Sequence, residues 1–96
     1  MIAYEMVTLF HPRLDEEGVE QASQWLQERI QSLGGEDIQV IPWGRRKLAY
    51  PIEKQLEAVY IQFDYRLDGS KVDELTRAMK INEDILRQLV VRKQDL

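Results

Sequence analysis

The segment Pro42-Trp43-Gly44-Arg45-Arg46-Lys47-Leu48-Ala49-Tyr50-Pro51-Ile52 concentrates residue types that bind polyanions. Three successive cations suit phosphate oxygens, and Trp43 and Tyr50 offer rings on which a base can stack. The bland explanation is that edge strands carry Arg and Lys to discourage aggregation while the aromatics pack. On composition alone that explanation weighs slightly more. Lys80, beyond a second helical stretch, and Arg87, Arg92 and Lys93, along a final apolar run, are each ambiguous, because isolated surface cations are common. The formal net charge of −4 argues weakly against a polyanionic partner. The distribution is uneven, however. Asp15 to Asp37 holds seven acidic residues and one basic residue, Arg45 to Lys54 four basic and one acidic, and Arg77 to Lys93 five basic and two acidic. Screening confines each charge to roughly 8–10 Å at physiological salt, so locally basic surfaces can exist on an acidic chain.

Other chemistry is sparsely provided for. His11 is the sole histidine and there is no cysteine, which leaves no thiolate or multi-histidine metal site and no disulfide framework. Gly18, Gly34, Gly35, Gly44 and Gly69 fit turns, a helix end and a helix interior, not a phosphate-cradling loop. Asp15-Glu16-Glu17 and Glu83-Asp84 sit where carboxylates complement a helix dipole or a turn, which explains them better than a cation site does. No catalytic residue, metal, cofactor or small-molecule substrate is therefore expected. The start of the chain carries Glu5 inside a short apolar run and lacks a basic n-region, and no stretch approaches the roughly 20 apolar residues of a membrane span. A cytoplasmic protein with no membrane association is expected.

The elements that must position these residues can be read from periodicity. Residues 2–10 alternate as a strand with two largely apolar faces, the pattern of a central strand. Asp15 is placed to cap a helix whose stripe is Val19, Ala22, Leu26, Ile30 and Leu33, stopped by Gly34-Gly35. Residues 37–53 are extended, but Pro42 and Pro51 confine them to a sheet edge and Gly44 permits a bulge. After a turn near Lys54-Gln55, Val59, Ile61, Phe63, Tyr65 and Leu67 alternate with Ala58, Tyr60, Gln62, Asp64 and Arg66. Asp68-Gly69 turns the chain, Ser70 with Asp73 resembles a capping box, and Val72, Leu75, Thr76 and Met79 form the buried stripe of a second helix. Ile85 to Val91 closes the chain as a strand of undetermined inward face. The expectation is one α+β domain over residues 1–96, a ferredoxin-like βαββαβ sandwich. Right-handed crossovers would make its four-stranded antiparallel sheet central at the first and third strands, with both helices on one face.

This element order together with WGRRKLAYPI resembles the bacterial small-subunit ribosomal protein S-six family. Tyr4-Glu5, Pro12 and Leu14, Lys54, the Ala58 to Tyr65 strand, and Ile81-Asn82-Glu83-Asp84-Ile85-Leu86-Arg87 leading into Leu89-Val90-Val91-Arg92 extend the likeness over essentially the whole chain. The resemblance implies a structural constituent of the small ribosomal subunit without catalytic activity. It implies binding to small-subunit (16S) ribosomal RNA beside the partner ribosomal protein S-eighteen, with a role in subunit assembly and translation. Arg45, Arg46 and Lys47 fall in the family's basic hairpin segment, and Lys80, Arg87 and Arg92 in its basic end region, so these six are the expected phosphate contacts. Ile2-Ala3 stands where relatives often carry basic residues, so no N-terminal phosphate contact is expected. The chain ends at Leu96 where many relatives continue, so no role resting on such a tail is expected either.

Two other readings share the element order. An RNA-recognition-motif-like reader of single strands would need aromatic rings on the open sheet face, where only Tyr60 clearly projects. An acylphosphatase-like enzyme or ligand-sensing domain would need a glycine-bearing anion loop after the first strand, where Phe10-His11-Pro12-Arg13-Leu14 stands instead. The favoured reading makes a structural demand: Arg45, Arg46 and Lys47 must be free of intramolecular ion pairs and remote from the acidic first helix.

Overall fold

Strand residues two apart share a face, and the apolar set Tyr4, Met6 and Phe10 therefore points to one side of β1 (Ile2–Phe10). In the computed structural model, which describes residues 1–93, β1 is hydrogen-bonded on both sides, as expected of a central strand. The expected domain range of 1–96 includes residues 94–96, which lie outside the described residues. The other elements are α1 (Glu16–Ser32), β2 (Glu36–Ile52), β3 (Gln55–Leu67), α2 (Val72–Lys80) and β4 (Ile85–Arg92). All strand pairs are antiparallel and the sheet order is β2-β3-β1-β4, with the first and third strands central as expected. The fold is the expected α+β ferredoxin-like one.

Both helices cover the face that presents Met6, Phe10, Phe63 and Leu67, and they bury Leu26, Ile30, Leu75 and Met79 against it. Each such side chain contributes about 1.5–3 kcal/mol relative to exposure. The Asp15 carboxylate accepts from the Gly18 N–H at 2.8 Å and so caps α1. At the other end Gly34 turns at φ 90°, and a Cβ on Gly35 would lie 2.8 Å from the Ile30 carbonyl oxygen. Both glycines are thus required by the helix stop.

Three local expectations need correction. Ser70 does not open a capping box. Asp68 instead accepts from the Ser70 N–H and Oγ, at 2.9 and 2.8 Å, and starts a 3₁₀ turn (Gly69–Lys71) that leads directly into α2. These bonds, that to the Ser70 backbone first, lower the Asp68 pKa. Their contribution to stability is therefore complete above the ordinary carboxylate range and is lost as pH falls through the depressed value. Ala78, not Thr76, completes the buried face of α2. The hairpin turn is Glu53-Lys54, one residue earlier than expected, with Ile52 opposite Gln55. Both turn residues hold positive φ, 47° and 67°, the pattern of a two-residue type I′ turn that ordinarily selects Asn-Gly.

The inward face of β4, which periodicity left open, is explained by a bulge. Leu9 lies opposite Arg87 but Phe10 opposite Ile85, so the register shifts around Leu86. Ile85 consequently packs under the helices, while Arg87, Leu89 and Val91 occupy the open face.

The strained turn generates a prediction. Replacing Glu53-Lys54 by Asn-Gly puts in the left-handed backbone the two residues that adopt it at least cost and stabilises the fold by on the order of 1 kcal/mol. A urea-unfolding midpoint that stays level or falls would show that the turn carries no such strain.

Candidate nucleic-acid interface

Three cations in succession on a strand cannot share one face. Arg45 lies opposite Val59, Arg46 opposite Ala58 and Lys47 opposite Glu57. Val59 belongs to the core under the helices, so Arg45 and Lys47 emerge on the helix side of the β2 edge and Arg46 on the open side. The basic segment is therefore a two-faced rim.

Each cation has its own surroundings. The Arg45 guanidinium donates from Nη1 to the Pro12 carbonyl at 2.9 Å and to Glu57 Oε1 at 3.2 Å, and from Nη2 to the Leu14 carbonyl at 3.2 Å. It also lines a cleft of about 500 Å³ between α1 and β2, together with Asp15, Glu16 and Glu20. Arg45 thus fails the demand for a free cation remote from the acidic helix. Arg46 lies over the Trp43 ring at 5.4 Å from its centroid, a cation–π contact that leaves its charge unneutralised. Its Nε also donates to the Trp43 carbonyl at 3.4 Å. Lys47 is exposed and, among the described residues, forms no ion pair.

The hairpin beyond these residues leaves the sheet plane. Pairing passes from Lys47↔Glu57 straight to Ile52↔Gln55, so Leu48 to Pro51 have no partners on β3. Pro51 could not donate to a ladder in any case. The freed segment curls over the open face and forms with it a cleft of about 360 Å³ lined by Val7, Leu9, Trp43, Leu48, Tyr50, Tyr60, Arg87 and Leu89 among others. Arg87 donates from Nη1 to the Tyr50 hydroxyl at 3.1 Å across this cleft. Trp43 is thrown onto the open face by a bulge at Gly44, whose φ is 86°. There it stacks on Tyr60 with ring centroids 6.0 Å apart and planes 5° from parallel.

The structure does not unite all six expected cations. The edges β2 and β4 are three strand spacings apart, roughly 14 Å, and only the curled hairpin brings Tyr50 to Arg87. Arg92 lies at the other end of β4, opposite Tyr4, and Lys80 is the exposed last residue of α2. Lys93 is neutralised by Asp64 at 3.1 Å and Glu5 at 3.9 Å. The open face is consequently divided: a half carrying the Glu5–Lys93–Asp64 ion-pair cluster, and an apolar half rimmed by Arg46 and Arg87. Sequence reasoning missed Glu57 and the Tyr50–Arg87 bond. The strand period would have found the first, because Glu57 shares a face with Arg45 and Lys47. The second depends on the curl and left no local signal.

The aromatic stack yields a measurable coupling. A double-mutant cycle with Trp43→Ala and Tyr60→Ala is expected to give an interaction energy of about 0.5–1.5 kcal/mol by urea unfolding. Strict additivity would reduce the pair to incidental proximity.

Comparison with known proteins agrees with this architecture. The family described as Ribosomal protein S6 matches residues 3–92. The small ribosomal subunit protein bS6 of Heliobacterium modesticaldum is 38% identical over 95 residues, covering 99% of both chains. That of Trichormus variabilis is 38% identical over 91 residues, covering 95% of this chain and 84% of its own. The crystal structure of 30S ribosomal protein S6 from Thermotoga maritima superposes with a TM-score of 0.90 at 29% identity, covering 96% of this chain and 87% of that one. With sheet order, hairpin and family match in accord over nearly the whole length, the chain belongs to the ribosomal protein S6 family.

Proposed function

We propose that this protein is a non-catalytic constituent of the bacterial small ribosomal subunit, acting as one domain in the cytoplasm. In this reading it binds small-subunit (16S) ribosomal RNA through the β2 rim, together with ribosomal protein S-eighteen, during subunit assembly and translation. The observation that carries the reading is that Arg46 and Lys47 stand exposed and without ion pairs on an edge strand whose outer backbone is unpaired among the described residues. Arg46 and Lys47 are the primary phosphate contacts. Arg45 is conditional on leaving its internal partners, and Lys80, Arg87 and Arg92 serve as separate peripheral contacts. The remaining exposed carbon surface, including Leu89 at 61% exposure and Val91 at 49%, supports a protein partner on the open sheet or its edge.

A net charge of −4 provides little long-range attraction to RNA, so a basic partner adds what this chain lacks. The reading as a single-strand RNA reader is disfavoured by a specific contact: one face of Tyr60 is already covered by Trp43.

Two outcomes test the proposal. Replacing Arg45, Arg46 and Lys47 by alanine should lower affinity for 16S RNA and flatten the log–log salt slope by about 0.7–0.9 for each phosphate no longer neutralised. An unchanged slope would return these cations to protecting a sheet edge. The isolated chain should also bind this RNA more weakly than the chain with ribosomal protein S-eighteen, and equal affinities would contradict joint binding.

A further inference from the structure

Arg45 stands at the RNA rim yet is held from within. Three of the five guanidinium donors are engaged: two on Nη1 by the Pro12 carbonyl and Glu57, and one on Nη2 by the Leu14 carbonyl. The acceptors come from two separate parts of the chain, the loop that enters α1 and the neighbouring strand β3. Only Glu57 among them carries charge. Its carboxylate stands 3.2 Å from Arg45 and is directly opposite Lys47 in the β2–β3 register. One carboxylate therefore sits between the two helix-side cations of the rim.

We propose that Glu57 is an affinity-setting residue of the RNA interface, a built-in competitor that occupies Arg45 until a phosphate displaces it. The inference rests on the RNA-binding reading and adds to it a residue of opposite charge. Displacement is energetically accessible because both partners of the ion pair are nearly half exposed, 43% and 46% for their side chains, and exposed pairs are weakly held. A phosphate offers a guanidinium the same oxygen geometry as a carboxylate, with the added gain of counterion release from the RNA. The free protein thus presents Arg46 and Lys47 first, and Arg45 joins only where a phosphate approaches the helix side of the rim. Weak non-specific contact would then engage two cations, and full docking three.

The test is a double-mutant cycle read by RNA binding. Wild type, Glu57→Gln, Arg45→Gln and the double variant are each titrated with 16S RNA in the presence of ribosomal protein S-eighteen at several salt concentrations. Glu57→Gln is expected to bind about two- to fivefold more tightly than wild type, the range set by an exposed ion pair. In the Arg45→Gln background the same substitution should change affinity little. If Glu57→Gln leaves affinity unchanged, weakens it, or tightens it equally in both backgrounds, the competitor role is overturned and Glu57 acts only as a structural or long-range charge. Cooperative urea unfolding of each variant verifies that folded protein is compared. A flattened salt slope in the Arg45, Arg46 and Lys47 triple variant with no Glu57 effect would sink this inference alone. A wild-type protein that fails to bind the RNA would remove the reading beneath it as well.

Discussion

The arrangement depends on β2 being held at the edge of the sheet by residues that cannot sit in its middle. Pro42 and Pro51 lack the N–H that a central strand needs for its second neighbour, and Gly44 supplies the positive φ that a bulge requires. From that confinement the rest follows. The bulge turns Trp43 onto Tyr60, Arg46 lies over Trp43, and the unpaired stretch from Leu48 to Pro51 swings Tyr50 across to Arg87. A central β2 would have its outer backbone paired to a further strand and would leave no free rim. An edge β2 without its prolines and glycine would extend flat, with no curl to link its tip to β4.

Charge follows the same geometry. The acidic residues of α1 and the basic residues of β2 are far apart in sequence, but they meet at the cleft where Arg45 faces Asp15, Glu16 and Glu20. The basic rim is therefore not uniformly electropositive. Its helix side is tempered by carboxylates, whereas Arg46 on its open side forms no ion pair among the described residues. A rim of this kind gives little indiscriminate affinity for polyanions, which is in keeping with the joint binding proposed above.

The fold was largely legible in the sequence because its signals are local and mutually consistent. Alternation in residues 2–10 and 58–67, the stripe from Val19 to Leu33, and the edge-marking prolines all point to one topology. Where the reading slipped, the cause was equally local. Asp68 and Ser70 are both acceptable caps, and the single-residue bulge at Leu86 inverts the face of β4 without changing composition. The interface was less legible. The stretch Arg45 to Lys47 was visible as a cluster, but the strand period divides it between two faces, and the partners of Arg45 come from Pro12, Leu14 and Glu57. Such long-range partners exist only once the sheet order is known.

The central claim is that the β2 rim, and not the acidic helix beside it, meets the nucleic acid. The most direct measurement is a nitrogen-15 NMR titration of the full chain with 16S ribosomal RNA and ribosomal protein S-eighteen, following the Arg46 Nε–H, the Lys47 Nζ and the backbone amides of α1. The account predicts shifts at Arg46 and Lys47 while the α1 amides from Glu20 onward keep their positions. Perturbation concentrated along α1, with Arg46 and Lys47 unmoved, would contradict it.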